Sequence, residues 1–276
     1  MPPPDKRALP AIPASLPAPL VETRVYQPEP ERHRHDYYQV LFGLDGACEL
    51  EIGGHLHRLD PRSGLIVPAG ECHDFLGLGD NRQLVLDVPP GSLALPAALT
   101  ERVRAFAVTD AWSAGVRRVA MLQQGTSQAG SRRHHWQLAA TLASDLAQAL
   151  GVDGRARPAR FPLAEIDTYL RQHLEAPVRA SQLAAHFGWS VRRFHTLFCD
   201  AFGDTPHRYQ TRMRLDQATR LLADRSQALA DISLTLGFPD QTTFTRSFTR
   251  RFGMPPGAWR AGLGPERIAA RASRHR

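Results

Sequence analysis

The chain has 276 residues, a hydrophobic content of 42% and a net charge of +7 at pH 7. That length suits two modest domains with separate cores, and no run approaches the roughly 18 apolar residues of a membrane span, so no membrane partner is expected. Cys48, Cys72 and Cys199 stand at unrelated spacings, which gives no disulfide framework and fits a reducing cytoplasm.

In chain order, residues 1–20 come first. Pro2, Pro3, Pro4, Pro10, Pro13, Pro17 and Pro19 disfavour helix and sheet there. The segment lacks a compact apolar core, so it reads as a disordered leader and not as a signal peptide. Over residues 21–90, Val21–Gln27, Tyr37–Phe42, Ala47–Ile52, His55–Leu59, Leu65–Val67 and Gln83–Val88 are apolar or alternating. Turn signals separate them: Gly43 to Gly46, Gly53-Gly54, Asp60-Pro61, Pro68 to Gly70 and Gly77 to Asn81. Short strands at this spacing predict an antiparallel sandwich or barrel.

From Ala97 onward the pattern turns helical, most clearly over His134–Leu150. Trp136, Leu138, Leu142 and Leu146 lie near one face, suited either to packing on the strands or to dimerisation. Residues 151–160, with two glycines and a proline, read as a linker between domains 21–150 and 161–262. Residues 263–276 form a basic tail. Charge divides at the linker: from Arg160 to Arg276 there are 18 arginines against 10 acidic residues, while the rest is nearly balanced. The excess points to a polyanionic partner for the C-terminal part.

That part contains an internal repeat. Phe194-x3-Phe198-x3-Phe202-Gly203-x2-Pro206-x2-Tyr209 recurs as Phe244-x3-Phe248-x3-Phe252-Gly253-x2-Pro256-x2-Trp259, at an offset of 50. Each copy reads as two short helices around a glycine turn, a helix-turn-helix. In the first, Ala180–Phe187 stops at Gly188, and Ser190 caps Val191–Phe202. In the second, Gly237 stops the leading helix, and Asp240 caps Gln241–Phe252. Thr205 and Pro206 open a connecting helix, His207–Leu222. The phenylalanines at i, i+4 and i+8 face the core. Opposite them stand Arg192, Arg193 and Thr196 in one copy and Thr242, Thr243 and Arg246 in the other, side chains suited to a major groove.

These residues resemble the AraC/XylS family of bacterial transcription regulators over about Phe161 to Gly262. The resemblance is densest at Arg214-Leu215, Ala218, Leu221-Leu222, Ile232, Gly237-Phe238, Phe244, Phe248, Phe252-Gly253, Pro256 and Arg260. It implies two helix-turn-helix motifs in adjacent major grooves of double-stranded DNA and control of transcription, usually activation, with RNA polymerase as a further partner. By position it assigns base contacts to Arg192, His195 and Thr196, and to Gln241, Thr242, Thr243 and Arg246. Arg193, Arg250 and Arg251 suit phosphates. Ser233 departs from the usual Ala, and Met254-Pro255 from a small polar pair.

The N-terminal half resembles the cupin-like sensor domain common in that family. The residues are His33-Arg34-His35-Asp36-Tyr37-Tyr38-Gln39 and the run Gly64 to His73. The resemblance implies a barrel pocket at His33, His35, Gln39 and His73 for a small-molecule effector, and a homodimer through the sensor domain. In metal-binding cupins, histidines at the positions of His33, His35 and His73 act with a Glu. Gln39 stands in its place, so neither a metal nor another cofactor is expected. The expected fold class is α+β: a cupin-like antiparallel β-barrel followed by helices, then an all-α double helix-turn-helix domain. Two other functions fit parts of the sequence. A metal-dependent cupin enzyme leaves the repeat unexplained, and an architectural DNA binder does not need two reading helices.

Overall fold

Along Gln83-Leu84-Val85-Leu86-Asp87-Val88, a strand's period of two puts Gln83, Val85 and Asp87 on one face and Leu84, Leu86 and Val88 on the other. In the computed structural model, which describes residues 15–124, 131–152 and 161–262, both faces are buried there. Contacts divide the chain into two units, Met1–Ala159 and Arg160–Arg276. Most of the expected leader and linker, and all of the basic tail, lie outside the described residues.

The first unit holds one antiparallel sheet. Its strands are β1 (Leu20–Arg24), β2 (Glu31–His33), β3 (Tyr38–Ile52), β4 (His55–Leu59), β5 (Ser63–Val67), β6 (His73–Val88) and β7 (Arg104–Ala107). The order is β1-β6-β3-β5-β7, with β2 on β6 and β4 on β3. Two expected turns are instead irregularities inside long strands. Gly43 to Gly46 lies within β3, where the register with β6 shifts on either side of Asp45, and Gly77 to Asn81 lies within β6. An extra residue bends a strand without ending its pairing. Asp45 is held at the shift by Arg82 at 2.6 Å and Arg117 at 3.1 Å. Both halves of β3 and β6 enclose one core, which includes Leu41, Leu50, Ile52, Val67, Phe75 and Val85.

The helical pattern expected from Ala97 begins later. Ala97–Leu99 is a 3-10 turn, and Arg104–Ala107 forms the edge strand on β5. Phe106 pairs with Gly64, and its ring occupies the space that a Cβ at Gly64 would need. Helices α1 (Asp110–Gln124) and α2 (Arg132–Ala149) then pack against the sheet, α1 on β1 and β3 and α2 on β1. Trp112 of α1 meets Phe42 edge-on at 5.5 Å, and the backbone N–H of Val21 donates to His135 Nδ1 of α2 at 3.1 Å. Trp136, Leu138, Leu142 and Leu146 are buried within the chain itself. Of the two uses expected for that helix, the structure shows packing.

The second unit is helical: α3 (Leu163–Gln172), α4 (Ala180–His186), α5 (Val191–Phe202), α6 (Pro206–Leu221), α7 (Leu229–Thr235), α8 (Gln241–Phe252) and α9 (Pro256–Ala261). Side-chain oxygens of Ser190, Thr205 and Asp240 cap α5, α6 and α8 by accepting from the backbone N–H three residues on. Gly203 and Gly253 stop α5 and α8 at φ of 74° and 77°, a conformation that glycine adopts without a Cβ clash. A cap and a stop explain why α5 and α8 begin and end where the sequence places them, and the Thr205 cap explains where α6 begins.

Candidate nucleic-acid interface and barrel interior

The repeated aromatic residues build the same wedge twice. Phe194, Phe198, Phe202 and Tyr209 form a chain in which Phe198 lies 5.8, 4.1 and 5.7 Å from the other three rings. Around Phe248 the rings of Phe244, Phe252 and Trp259 lie at 5.7, 4.5 and 5.6 Å. Phe194, Phe198, Phe244 and Phe248 are fully buried. Burying those faces turns the opposite sides of α5 and α8 outward. Arg192, His195, Thr196, Gln241, Thr242, Thr243, Arg246 and Arg250 are exposed, and Arg193 is half-buried. Thr196 donates its hydroxyl to the Arg192 carbonyl at 2.9 Å, so the acceptor lone pairs remain for another partner.

Arg251 differs from its neighbours. Its guanidinium bonds Asp216 of α6 at 2.6 Å and lies over the Phe252 ring. A groove of about 680 Å³ between α6 and α8 runs beside it, lined by Arg208, Thr211, Arg212, Ser247 and Arg250 among others. Arg208 and Arg212 carried no signal in the sequence, because they lie on a helix whose apolar contacts alone were legible.

Inside the first unit, the structure brings His35 and His73 together, with ring centroids 5.0 Å apart, and places His33 6.3 Å from His73. Gln39 lies opposite Asp87 and donates to it at 2.8 Å. Asp87 also bonds Arg24, which reaches Glu22 at 2.7 Å. Sequence reasoning missed Arg24, Tyr26, Tyr37, Gln83 and Asp87. The only signal for them was the alternation on β6, which puts Gln83 and Asp87 on the inner face.

This interior holds many buried polar atoms without a partner: Arg24 Nη1, Tyr26 OH, Tyr37 OH, Gln39 Oε1, both amide atoms of Gln83, and the Nε2 atoms of His35 and His73. His35 Nδ1 lies 2.9 Å from the Tyr37 carbonyl, and His73 Nδ1 lies 3.1 Å from the Glu71 carbonyl. A carbonyl only accepts, so each Nδ1 carries hydrogen and each Nε2 of the neutral ring presents a lone pair. The set does not fit a divalent cation. Gln39 is turned to Asp87, and among the described residues no three His, Cys, Asp or Glu side chains are placed to hold one.

Burial pushes His73 down to about 4 and lowers His35, and the His35 imidazole also opposes charge on His73. In an unfolded chain a histidine takes its proton near 6.5. Between those values the unfolded state binds more protons, so stability is full above about pH 6.5 and falls as the pH drops toward 4. For His73 the full span corresponds to about 3 kcal/mol. Urea unfolding of the N-terminal unit at pH 7 and pH 4.5 should show this loss, and His73→Phe should remove most of it. An equal loss in the variant would assign the pH response to other groups.

Comparison with known proteins places both units. Residues 183–262 match a family described as a helix-turn-helix domain, and residues 22–89 match the cupin domain family. The probable transcriptional regulator LumQ of Photobacterium leiognathi is 28% identical over 225 residues, covering 81% of this chain and 89% of LumQ. The HTH-type transcriptional regulator YobQ of Bacillus subtilis is also 28% identical, over 88% of this chain and 94% of YobQ. NphR of Rhodococcus, a transcriptional activator, is 28% identical over 81% of this chain and 69% of its own. Two helix-turn-helix copies behind a cupin domain define a DNA-binding transcription regulator. Within that class, the chain resembles regulators of the AraC family. Among the described residues no helix is long and apolar enough to cross a membrane.

Proposed function

We propose that this chain is a cytoplasmic, sequence-specific regulator, acting as an activator that engages RNA polymerase, and controlled by a small-molecule effector in the barrel interior. The observation that carries the DNA reading is the pair of matched helices α5 and α8, whose outward faces differ. Arg192, His195 and Thr196 read one short base sequence, or box. Gln241, Thr242, Thr243 and Arg246 read another. Different reading residues on one hydrophobic skeleton give an asymmetric site that a single chain recognises. Arg193, Arg250, Arg208 and Arg212 meet phosphates along the flanks. Arg251, tied to Asp216, fastens α8 to α6 instead.

The unpartnered atoms around His35, Gln39 and His73 support an effector site, because buried polar groups in native proteins are nearly always satisfied. His33 lies at its edge. An effector with different affinity for two states of the chain shifts their populations. No metal enters this scheme. The face of α2 expected for dimerisation is covered by its own unit, so no dimer is assigned to it.

The test uses a duplex enriched by the protein from a randomised DNA library. Arg246→Ala should lose about 1–3 kcal/mol of affinity and relax preference at one base pair. Arg250→Ala should weaken binding to all sequences alike and reduce the slope of log affinity against log salt by about 1. Equal losses on every sequence for both variants would remove base reading from α8.

A further inference from the structure

Helix α6 carries two buried polar side chains one turn apart, Gln210 and Arg214, with 1% and 5% exposure. Gln210 pins the loop between α3 and α4. Its Nε2 donates to the carbonyls of His173 at 2.7 Å and Ala176 at 2.9 Å, and its Oε1 accepts from Val178 N–H at 3.1 Å. Arg214 reaches the same loop and also the other copy. Its Nε donates to the Leu174 carbonyl at 2.7 Å, and its Nη1 donates to the Gly237 carbonyl at 3.1 Å. Leu174 lies in the segment that leads into α4, the first helix of one helix-turn-helix. Gly237 lies in the turn between α7 and α8, inside the other.

The two backbones also meet directly at this point. A Cβ on Gly237 would stand 2.2 Å from the Glu175 carbonyl oxygen and 2.8 Å from Arg214 Nη2. Gly237 has φ of 69°, so a side chain there is disfavoured by both space and conformation. No carboxylate forms a salt bridge with Arg214 among the described residues. Its buried charge rests on backbone carbonyls, one from each side, and the guanidinium also lies beside the Phe238 ring, 5.9 Å from its centroid. A planar group with donors on separate nitrogens fixes two acceptors in one relative position, whereas an ammonium offers rotating donors on a single atom.

We infer that Arg214 is the positioning residue that fixes α5 and α8 relative to one another, and thereby makes the number of base pairs between the two boxes part of the recognised sequence. Arg214 is buried away from the reading faces and acts through the Leu174–Gly237 junction. The consequence follows from duplex geometry. Inserting one base pair turns one box relative to the other by about 34° and moves it by about 3.4 Å. A locked pair of helices cannot follow both boxes, whereas a loosened pair can. This inference rests on the proposal that both helices read bases.

The experiment uses the full chain and the enriched duplex, remade with one base pair inserted or removed between the boxes. The wild type should bind the altered spacings about tenfold more weakly or worse, the cost of releasing part of one box. Arg214→Met, which keeps the apolar stem of the side chain and removes its donors, should bind the original spacing less well. Its penalty for altered spacing should fall below about threefold. Arg214→Lys keeps the charge and one bond, and should lie between the two. Helicity and urea midpoints establish which variants are folded, and Arg214→Lys serves if Arg214→Met is not. A spacing penalty unchanged in a folded variant, with only overall affinity reduced, makes Arg214 merely structural and overturns the inference. Wild-type indifference to spacing overturns it as well. Enrichment of no sequence at all sinks the two-box reading along with it, and is distinguishable from either result.

Discussion

Asp87→Ala should destabilise the N-terminal unit by about 3–5 kcal/mol, the usual cost of removing one partner from a buried ion pair. Asp87 is 1% exposed and Arg24 is 7% exposed, so neither charge is hydrated. Truncating Asp87 leaves the guanidinium with Glu22 alone, which stands at the surface, and strips Gln39 Nε2 of its acceptor. Asp87→Asn keeps one carbonyl oxygen, which accepts in the place of only one of the two carboxylate oxygens that Arg24 and Gln39 use, so its loss should be smaller than that of Asp87→Ala but still substantial. Replacing the pair together, as Arg24→Met with Asp87→Leu, should recover much of the stability, because two desolvated charges disappear at once. Urea unfolding read by hydrogen exchange in peptides from β1 and β6 isolates this unit from the other. A loss below about 1 kcal/mol for Asp87→Ala would show that water already reaches the pair.

This pair also marks where the sequence stops being legible. Helices α4, α5, α6 and α8 could be placed within about a residue, because Ser190, Thr205 and Asp240 start three of them and Gly188, Gly203 and Gly253 follow the ends of α4, α5 and α8. Such signals are local, and local chemistry decides them. The strands were legible as apolar runs, but their continuity was not. Gly43 to Gly46 and Gly77 to Asn81 look like turns by composition, yet long strands on both sides keep their pairing through them. Edge strand β7 escaped because four residues, Arg104–Ala107, carry too little pattern, and only the space above Gly64 gives Phe106 its place. At the barrel interior, the histidines and Gln39 stood out through a resemblance. Arg24, Tyr26, Tyr37 and Asp87 did not, because residues far apart in sequence meet only once the sheet folds over. Arg214 was legible as part of a resemblance, while its role as a tie depends on two carbonyls that no side-chain pattern reveals.

Phe248→Ala should cost about 3–5 kcal/mol within the second helix-turn-helix and abolish reading of its box. Phe248 is fully buried among Leu215, Ala218, Leu222, Ile232, Leu236, Phe238 and Phe244, with Phe252 and Trp259 at its edge. So small a core cannot refill the space of an aromatic ring, and the cavity adds to the lost transfer energy. The wedge around Phe248 also sets the rotation of α8, because burying Phe244 and Phe248 is what turns Thr242 and Arg246 outward. The first copy has its own wedge around Phe198. Hydrogen exchange should therefore accelerate over α7, α8 and α9 before α4 and α5. Binding to the enriched duplex should fall to that of a duplex carrying only the box read by α5. Phe198→Ala should give the mirror result, sparing the box read by α8. Loss of both boxes from either variant, with exchange accelerating throughout α4 to α9, would mean that the two copies fold as one cooperative unit. In that case the bonds of Arg214 across the Leu174–Gly237 junction carry folding cooperativity from one copy to the other as well as their spacing.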